Sequence, residues 1–127
     1  MGRSGPVLAI SDSPDFVKAV SALLRRADGP VMAACGRAAA ALEVARAQRP
    51  RGIVVDVGTG GMSSLEAIYE LRREFPRAGI VAVTPLRTGS LGRSALESGA
   101  DEIVLRADLE PELVPALHRA MASAKLR

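Results

Sequence analysis

Short apolar runs rich in valine and isoleucine alternate along the chain with longer segments whose apolar residues recur at helical spacing. This alternation predicts βαβ units, in which parallel strands are joined by helices. The predicted strands cover residues 6–11, 30–35, 52–56, 79–84 and 102–106. Because the central runs are too apolar to face water, helices should cover both faces of the sheet. The pattern therefore predicts an α/β fold with a doubly wound, five-stranded parallel sheet.

The helices between these strands carry capping signals. Ser13 followed by Pro14 predicts an N-cap and a first-turn proline for the first helix. The second helix is expected at about 37–48, and Ser63 to Glu66 fits a capping box for the third. Gly99 suits the left-handed position that ends the fourth helix. Apolar residues recur at helical spacing along the first, third and fifth helices and predict the faces that they bury: Phe16, Val17, Val20, Leu23, Leu24 and Ala27; Leu65, Ile68, Leu71 and Phe75; Leu109, Leu113, Val114, Leu117, Ala120 and Met121.

Length and composition fit one soluble domain. The 127 residues, 48% hydrophobic and 24% charged, predict a single domain spanning residues 1–127. Aromatic residues make up only 2% of the chain, which argues against nucleic-acid binding by base stacking. The net charge is +3, but the basic residues are interleaved with acidic ones along the helices, as on a solvated face. One cysteine and no long apolar run favour a cytoplasmic protein without membrane contact.

Polar residues stand at the ends of the predicted strands: Ser11, Asp12, Asp56, Thr84 and Arg106. The carboxyl ends of parallel strands meet at one edge of the sheet, so these side chains should converge on one pocket. A carboxylate that closes an apolar strand must be exposed, bound to a metal or paired with a cation. In this chain the carboxylate is that of Asp56, which either forms a structural ion pair with Arg106 or acts as a nucleophile. A nucleophile, a second carboxylate for Mg²⁺, a hydroxyl and a cation are the parts that phosphoryl transfer to a carboxylate requires.

Two segments resemble a known family. Residues 56–66 resemble the segment around the phosphoacceptor aspartate in receiver domains of bacterial response regulators, and residues 97–102 resemble the stretch before the fifth strand of that family. Residues 7–12 and Thr84 are in register with the same family, so the resemblance covers essentially the whole chain. It implies a flavodoxin-like (βα)5 fold with strand order 2-1-3-4-5.

The resemblance also implies a role in two-component signal transduction. Asp56 would accept a phosphoryl group from a histidine kinase or phosphotransfer protein, and Thr84 would hydrogen-bond a phosphoryl oxygen. Mg²⁺ would be bound by Asp12, Asp56 and the main-chain carbonyl of Gly58. Arg106 stands where the family has a lysine. The domain would be regulatory rather than an enzyme, with at most weak self-catalysed phosphoryl transfer and dephosphorylation. It would switch an output domain or partner protein, and a homodimer stays open.

Departures from the family keep a second function open. Ser11 replaces an acidic residue, so Mg²⁺ should bind more weakly. Arg106 presents a wide planar fork that either over-fills the pocket or pairs bidentately with Asp56. Pro85 has no amide hydrogen to donate to a phosphoryl group. The alternative is a pseudo-receiver, used for binding or dimerisation without phosphorylation. A nucleotide-binding enzyme is disfavoured because residues 11–15 contain no glycine for a phosphate-binding turn.

Overall fold

The computed structural model of the chain describes residues 5–27, 32–35, 40–58, 62–85 and 90–127. Strands and helices alternate along these ranges. They are β1 (Val7–Ile10), α1 (Pro14–Arg26), β2 (Met32–Cys35), α2 (Ala41–Gln48), β3 (Gly52–Asp56), α3 (Met62–Glu74), β4 (Gly79–Thr84), α4 (Leu91–Ser98), β5 (Glu102–Leu105) and α5 (Leu109–Ala124), with a 3₁₀ turn at Arg106–Asp108 before α5.

The five strands form one parallel sheet in the order β2-β1-β3-β4-β5. This confirms the predicted α/β class, the flavodoxin-like doubly wound sheet and the strand order 2-1-3-4-5. The chain moves outward from β1 in one direction to β2 and in the other to β3. In such sheets the crevice at the carboxyl ends of the two strands flanking this reversal is where ligands bind. Asp56, the last residue of β3, lies at that position.

The strands separate two buried apolar layers, because successive side chains point to opposite faces of a sheet. On β3, Ile53 and Val55 pack with α2, α3 and α4, whereas Val54 packs with α1 and α5. Most residues of the predicted stripes point into these layers, and Leu113 and Leu117 on α5 are fully buried. Ala27 was wrongly included in the first stripe: it follows the last residue of α1 and is exposed. The sheet is therefore a rigid support for the residues at its carboxyl edge.

Most predicted boundaries are confirmed. Pro14 opens α1, and Gly99 ends α4 with a φ of +131°. The predicted start of the third helix is wrong: α3 already includes Met62, so Ser63 lies within the helix and not before it. The first residues predicted for the second strand and the second helix, 30–31 and 37–39, lie outside the described residues.

Removing the cap of α1 should have a small, measurable effect on stability. The Ser13 side chain accepts a hydrogen bond from the Phe16 amide at 3.2 Å, satisfying a main-chain donor of the first turn. Ser13→Ala should therefore lower the free energy of unfolding by about 1 kcal/mol, measured by urea denaturation. Ser21→Ala, within the same helix, is the matched control and should change it by less than about 0.5 kcal/mol. Equal losses in both variants would contradict the capping role.

Candidate functional site

Both carboxylate oxygens of Asp56 are bound by side chains from other strand ends. Asp56 closes β3 and is only 6% exposed. Its Oδ2 accepts a hydrogen bond from the Ser11 hydroxyl at 2.6 Å, and its Oδ1 accepts one from Nη2 of Arg106. Ser11 follows β1, and Arg106 follows β5. The structure thus brings together three of the polar residues that the sequence placed at one edge of the sheet.

Arg106 lies between Asp56 and an aromatic ring. It opens the 3₁₀ turn after Leu105 and so lies just beyond β5, which it was predicted to close. Its guanidinium carbon is 5.4 Å from the centroid of the Phe16 ring on α1, within cation–π distance. The predicted bidentate pairing is wrong: Nη2 contacts Oδ1 alone, because Ser11 occupies the other carboxylate oxygen. A single contact is easier to break than a bidentate one.

Thr84 holds the one buried side-chain polar atom without a hydrogen-bond partner among the described residues. It is the last residue of β4 and is 1% exposed. A buried hydroxyl without a partner costs about 1 to 3 kcal/mol. Asp56 pairs in register with Val83, the residue before Thr84. The unused hydroxyl therefore lies one residue further along the strand that neighbours the Asp56 carboxylate.

The loops after β3 and β4 also meet. Gly58 has a φ of +148°, a conformation that side-chain-bearing residues rarely adopt, and a Cβ placed there would lie 3.0 Å from the Pro85 ring. The Val57 amide donates to the Val83 carbonyl at 2.9 Å, which extends the strand pairing past Asp56. Pro85 has no amide hydrogen, so its position offers no main-chain donor to a ligand.

Two hydrogen bonds at the site were missed by the sequence analysis. The Ser64 hydroxyl, in the first turn of α3, donates to the main-chain carbonyl of Asp56 at 3.3 Å. The Ser13 amide donates to the Ser11 hydroxyl at 3.0 Å, which orients that hydroxyl toward Asp56. Small hydroxyl residues beside strand ends are the only sequence signal for such contacts. Ser11 therefore donates a hydrogen bond to Asp56, in addition to replacing the acidic residue that the family has at this position.

The predicted Mg²⁺ ligands are oxygen donors, which is the type this ion prefers. Asp12 is exposed and follows Ser11, and Gly58 lies two residues after Asp56. Within the described ranges, no three His, Cys, Asp or Glu side chains are grouped to hold a metal. The two carboxylates and the Arg106 guanidinium together leave one net negative charge. These donors fit Mg²⁺ in kind, although Arg106 already binds one of the Asp56 oxygens.

Comparisons with known proteins identify the family of the chain. The chain belongs to the response regulator receiver domain family, whose model matches residues 7–118. The probable transcriptional regulatory protein TcrX of Mycobacterium tuberculosis is 30% identical over 105 residues, 83% of this chain and 44% of that protein. The nitrate/nitrite response regulator NarL of Escherichia coli K12 is 32% identical over 118 residues, 91% of this chain and 54% of that protein. The chain thus spans about half the length of these relatives.

A solved structure shows the same fold. The BeF3-activated N-terminal receiver domain of Klebsiella pneumoniae RstA matches with a TM-score of 0.80 at 22% identity, covering 91% of this chain and 97% of that one. Receiver domains are regulatory modules of two-component systems, and they generally bind Mg²⁺. Among the described residues, none of the helices combines the length and apolarity needed to cross a membrane.

Proposed function

We propose that residues 1–127 form one receiver domain that accepts a phosphoryl group on Asp56 from a histidine kinase or phosphotransfer protein, and that this switches an output domain or partner protein. The observation that carries the proposal is the Thr84 hydroxyl, buried and without a partner among the described residues. A phosphoryl group on Asp56 would supply oxygen acceptors at this edge of the sheet. The cost of leaving the hydroxyl unpaired would then be recovered in the phosphorylated state.

The side chains divide the chemistry between them. An Asp56 oxygen attacks the phosphorus atom, and its new bond to phosphorus forms as the bond between phosphorus and the donor nitrogen or oxygen breaks. Arg106 is the cation within reach of Asp56 and would stabilise the negative charge of the phosphoryl oxygens. Bound Mg²⁺ would add positive charge at the same oxygens, held by Asp12, Asp56 and the Gly58 carbonyl.

In the unphosphorylated protein, Arg106 restrains this reaction. Its Nη2 binds Oδ1 of Asp56 while Ser11 binds Oδ2, so a hydrogen bond to each oxygen stabilises the carboxylate and makes it less nucleophilic. Because the Arg106 side chain is 41% exposed and its contact is single, it can leave Asp56 without unfolding its surroundings. We therefore expect low basal reactivity toward small phosphoryl donors and a faster reaction when a partner displaces the guanidinium.

The same ion pair supports a second candidate, a pseudo-receiver that binds partners or dimerises without phosphorylation. In that case the Asp56–Arg106 contact would be purely structural. The unpaired Thr84 hydroxyl favours the phosphoacceptor function, because a structural ion pair gives no reason to keep an unsatisfied buried donor.

Thr84→Val tests the proposal through two opposite effects. Valine has nearly the same shape without the hydroxyl, so the free energy of unfolding should rise by about 1 kcal/mol. Binding of beryllium fluoride, a phosphoryl mimic, should weaken by about tenfold through loss of one hydrogen bond to a charged group. Urea denaturation and amide NMR titration would measure the two effects.

Two controls separate the outcomes of that experiment. Thr84→Ser keeps the hydroxyl and should bind beryllium fluoride much like the parent, whereas Asp56→Asn should not bind it. If Thr84→Val binds as tightly as the parent, Thr84 is not a phosphoryl ligand. If the parent itself shows no binding that depends on Asp56, the pseudo-receiver is the better description.

Ser11→Asp should tighten Mg²⁺ binding by about tenfold, because a carboxylate replaces a neutral hydroxyl beside Asp56. Without Mg²⁺ the same change should destabilise the fold, since two carboxylates would face each other in a site where Ser11 is only 6% exposed. Calorimetric titration and urea denaturation with and without Mg²⁺ check both effects. Ser11→Asn, of similar size but uncharged, should show no such gain; equal affinities in the two variants would contradict the electrostatic argument.

A further inference from the structure

A cavity of about 810 Å³ lies at the amino ends of β3 and β4, on the edge of the sheet opposite Asp56. We call it the basal cavity. Its walls are the loop between α2 and β3 and the turn between α3 and β4. The lining includes three arginines and three apolar residues: Arg49, Arg51, Arg77, Pro50, Phe75 and Pro76. It therefore joins a positive rim to an apolar surface.

The hydrogen-bond acceptors of this wall are already used by other arginines. Nη1 of Arg72 donates to the carbonyls of Phe75, Pro76 and Ala78 at 3.3, 3.1 and 2.8 Å. The Glu74 carboxylate is bound by Arg46 through two contacts of 2.5 and 2.8 Å, and this hydrogen bonding lowers the pKa of Glu74. Glu74 thus stays ionised, and its negative charge is neutralised by Arg46, which does not line the cavity.

The three cavity arginines differ from most others in the chain. Seven arginines form ion pairs with carboxylates: Arg26, Arg46, Arg72, Arg73, Arg106, Arg119 and Arg127. Arg49, Arg51 and Arg77 are exposed and have no carboxylate partner within the described residues. Like charges on one cavity repel each other, and an anion bound between them would remove that repulsion.

The backbone that carries two of these arginines is held in place. Arg49 has a φ of +51°, the only positive φ at a non-glycine position among the described residues. A Cβ added to Gly5 would lie 2.1 Å from the Arg49 carbonyl oxygen, so Gly5 allows the chain to pass this loop closely. The Arg51 amide donates to the Pro6 carbonyl at 3.1 Å, and the Arg51 carbonyl accepts from the Gly79 amide at 3.0 Å. Such a fixed loop lowers the ordering cost of binding a ligand.

We propose that the basal cavity binds an organic phosphate of nucleotide size, with its phosphate groups on Arg49, Arg51 and Arg77 and its ring on the apolar surface. Guanidinium groups match the geometry of phosphate oxygens better than other cations do. The volume lies within the range of small-molecule sites. The site is separate from Asp56, so the proposal stands whether or not Asp56 is phosphorylated.

ADP and inorganic pyrophosphate, both without Mg²⁺, are the probes. We expect a saturable amide NMR titration with ADP, with shifts confined to residues 48–51 and 74–79 and a dissociation constant below about 1 mM. Pyrophosphate should shift the same residues but bind more weakly, because it lacks the ring. The double variant Arg51→Ala, Arg77→Ala should bind ADP at least about tenfold more weakly.

Arg93→Ala is the matched control. Arg93, on α4, is also exposed and lacks a carboxylate partner within the described ranges, but it does not line the cavity, so ADP binding should be unchanged. The proposal is overturned by equal weakening in this variant, which would show unspecific charge attraction, or by absence of saturable shifts. Binding of an acidic peptide but not of ADP would also overturn it and indicate a protein-docking surface. Shifts confined to the carboxyl edge and lost in Asp56→Asn would place the ADP site there instead. Thermal unfolding of each variant verifies that the fold is intact.

Discussion

Arg106→Lys should increase labelling of Asp56 by acetyl phosphate about tenfold or more over the parent protein. The guanidinium holds Oδ1 of Asp56 and is supported from its other side by the Phe16 ring. A lysine keeps the positive charge but loses the guanidinium that lies within cation–π distance of Phe16, so the carboxylate would spend more time free to attack. Releasing one charge-assisted hydrogen bond is worth about 1.5 to 3 kcal/mol, enough for this change in rate. Mass spectrometry of the intact protein would measure the labelling.

The controls for that experiment show whether Arg106 restrains Asp56, holds the phosphoryl group, or does not limit the labelling. Asp56→Asn gives the blank, and Arg119→Lys, a remote arginine paired with Glu102, should label like the parent. Lower labelling of Arg106→Lys, or a shorter lifetime of the phosphorylated form, would show that Arg106 grips the phosphoryl group more than it restrains Asp56. If neither protein labels, Arg106 is not the main obstacle, and Pro85 and Ser11 become the residues to change.

Asp101→Ala should lower the free energy of unfolding by about 2 to 3 kcal/mol, because it removes hydrogen bonds to a partly buried charge and to a main-chain amide. Asp101 binds Nη2 of Arg72 at 2.6 Å and the Ile80 amide at 2.9 Å, and it also pairs with Arg127. Arg72 is only 17% exposed; burial lowers its pKa, and the charge of Asp101 opposes that effect. Without Asp101, the Arg72 charge and the Ile80 amide would both lose their acidic partner.

Glu102→Ala is the matched control for Asp101. It removes the neighbouring carboxylate, whose partner Arg119 is 59% exposed, and should cost less than about 1 kcal/mol. The loss in Asp101→Ala should persist in high salt, because buried charges are poorly screened. Losses of similar size in the two variants, measured by urea denaturation, would contradict a special role for the buried pair.

The sequence was sufficient to predict that Ser11, Asp56 and Arg106 meet, because parallel strands bring their carboxyl ends to one edge. Asp56 and Thr84 close β3 and β4 as expected, and Arg106 lies one residue past β5. The strand order followed from the family resemblance, since hydrophobic pattern alone does not determine which strands are neighbours. Phosphorylation of Asp56 and Mg²⁺ binding by Asp12, Asp56 and Gly58 stay predictions.

The rest depends on three-dimensional contacts that spacing does not encode. That Arg106 pairs through one nitrogen follows from Ser11 occupying the other Asp56 oxygen, forty-five residues away in sequence. The cation–π contact of Arg106 with Phe16 joins residues from α1 and from the turn after β5. The start of α3 at Met62 was missed because the spacing of Ser63 and Glu66 matches a capping box even though both residues lie within the helix.

The position of Arg106 over Phe16 also makes the site visible to spectroscopy. The chain has no tryptophan, so movement at the site cannot be followed by tryptophan fluorescence. The ring current of Phe16, however, acts on protons held over its face, and the Arg106 guanidinium carbon lies 5.4 Å from the ring centroid. Ring-current shifts of the Arg106 side-chain resonances would therefore report its position in solution, and their loss on addition of beryllium fluoride would show when it leaves the ring.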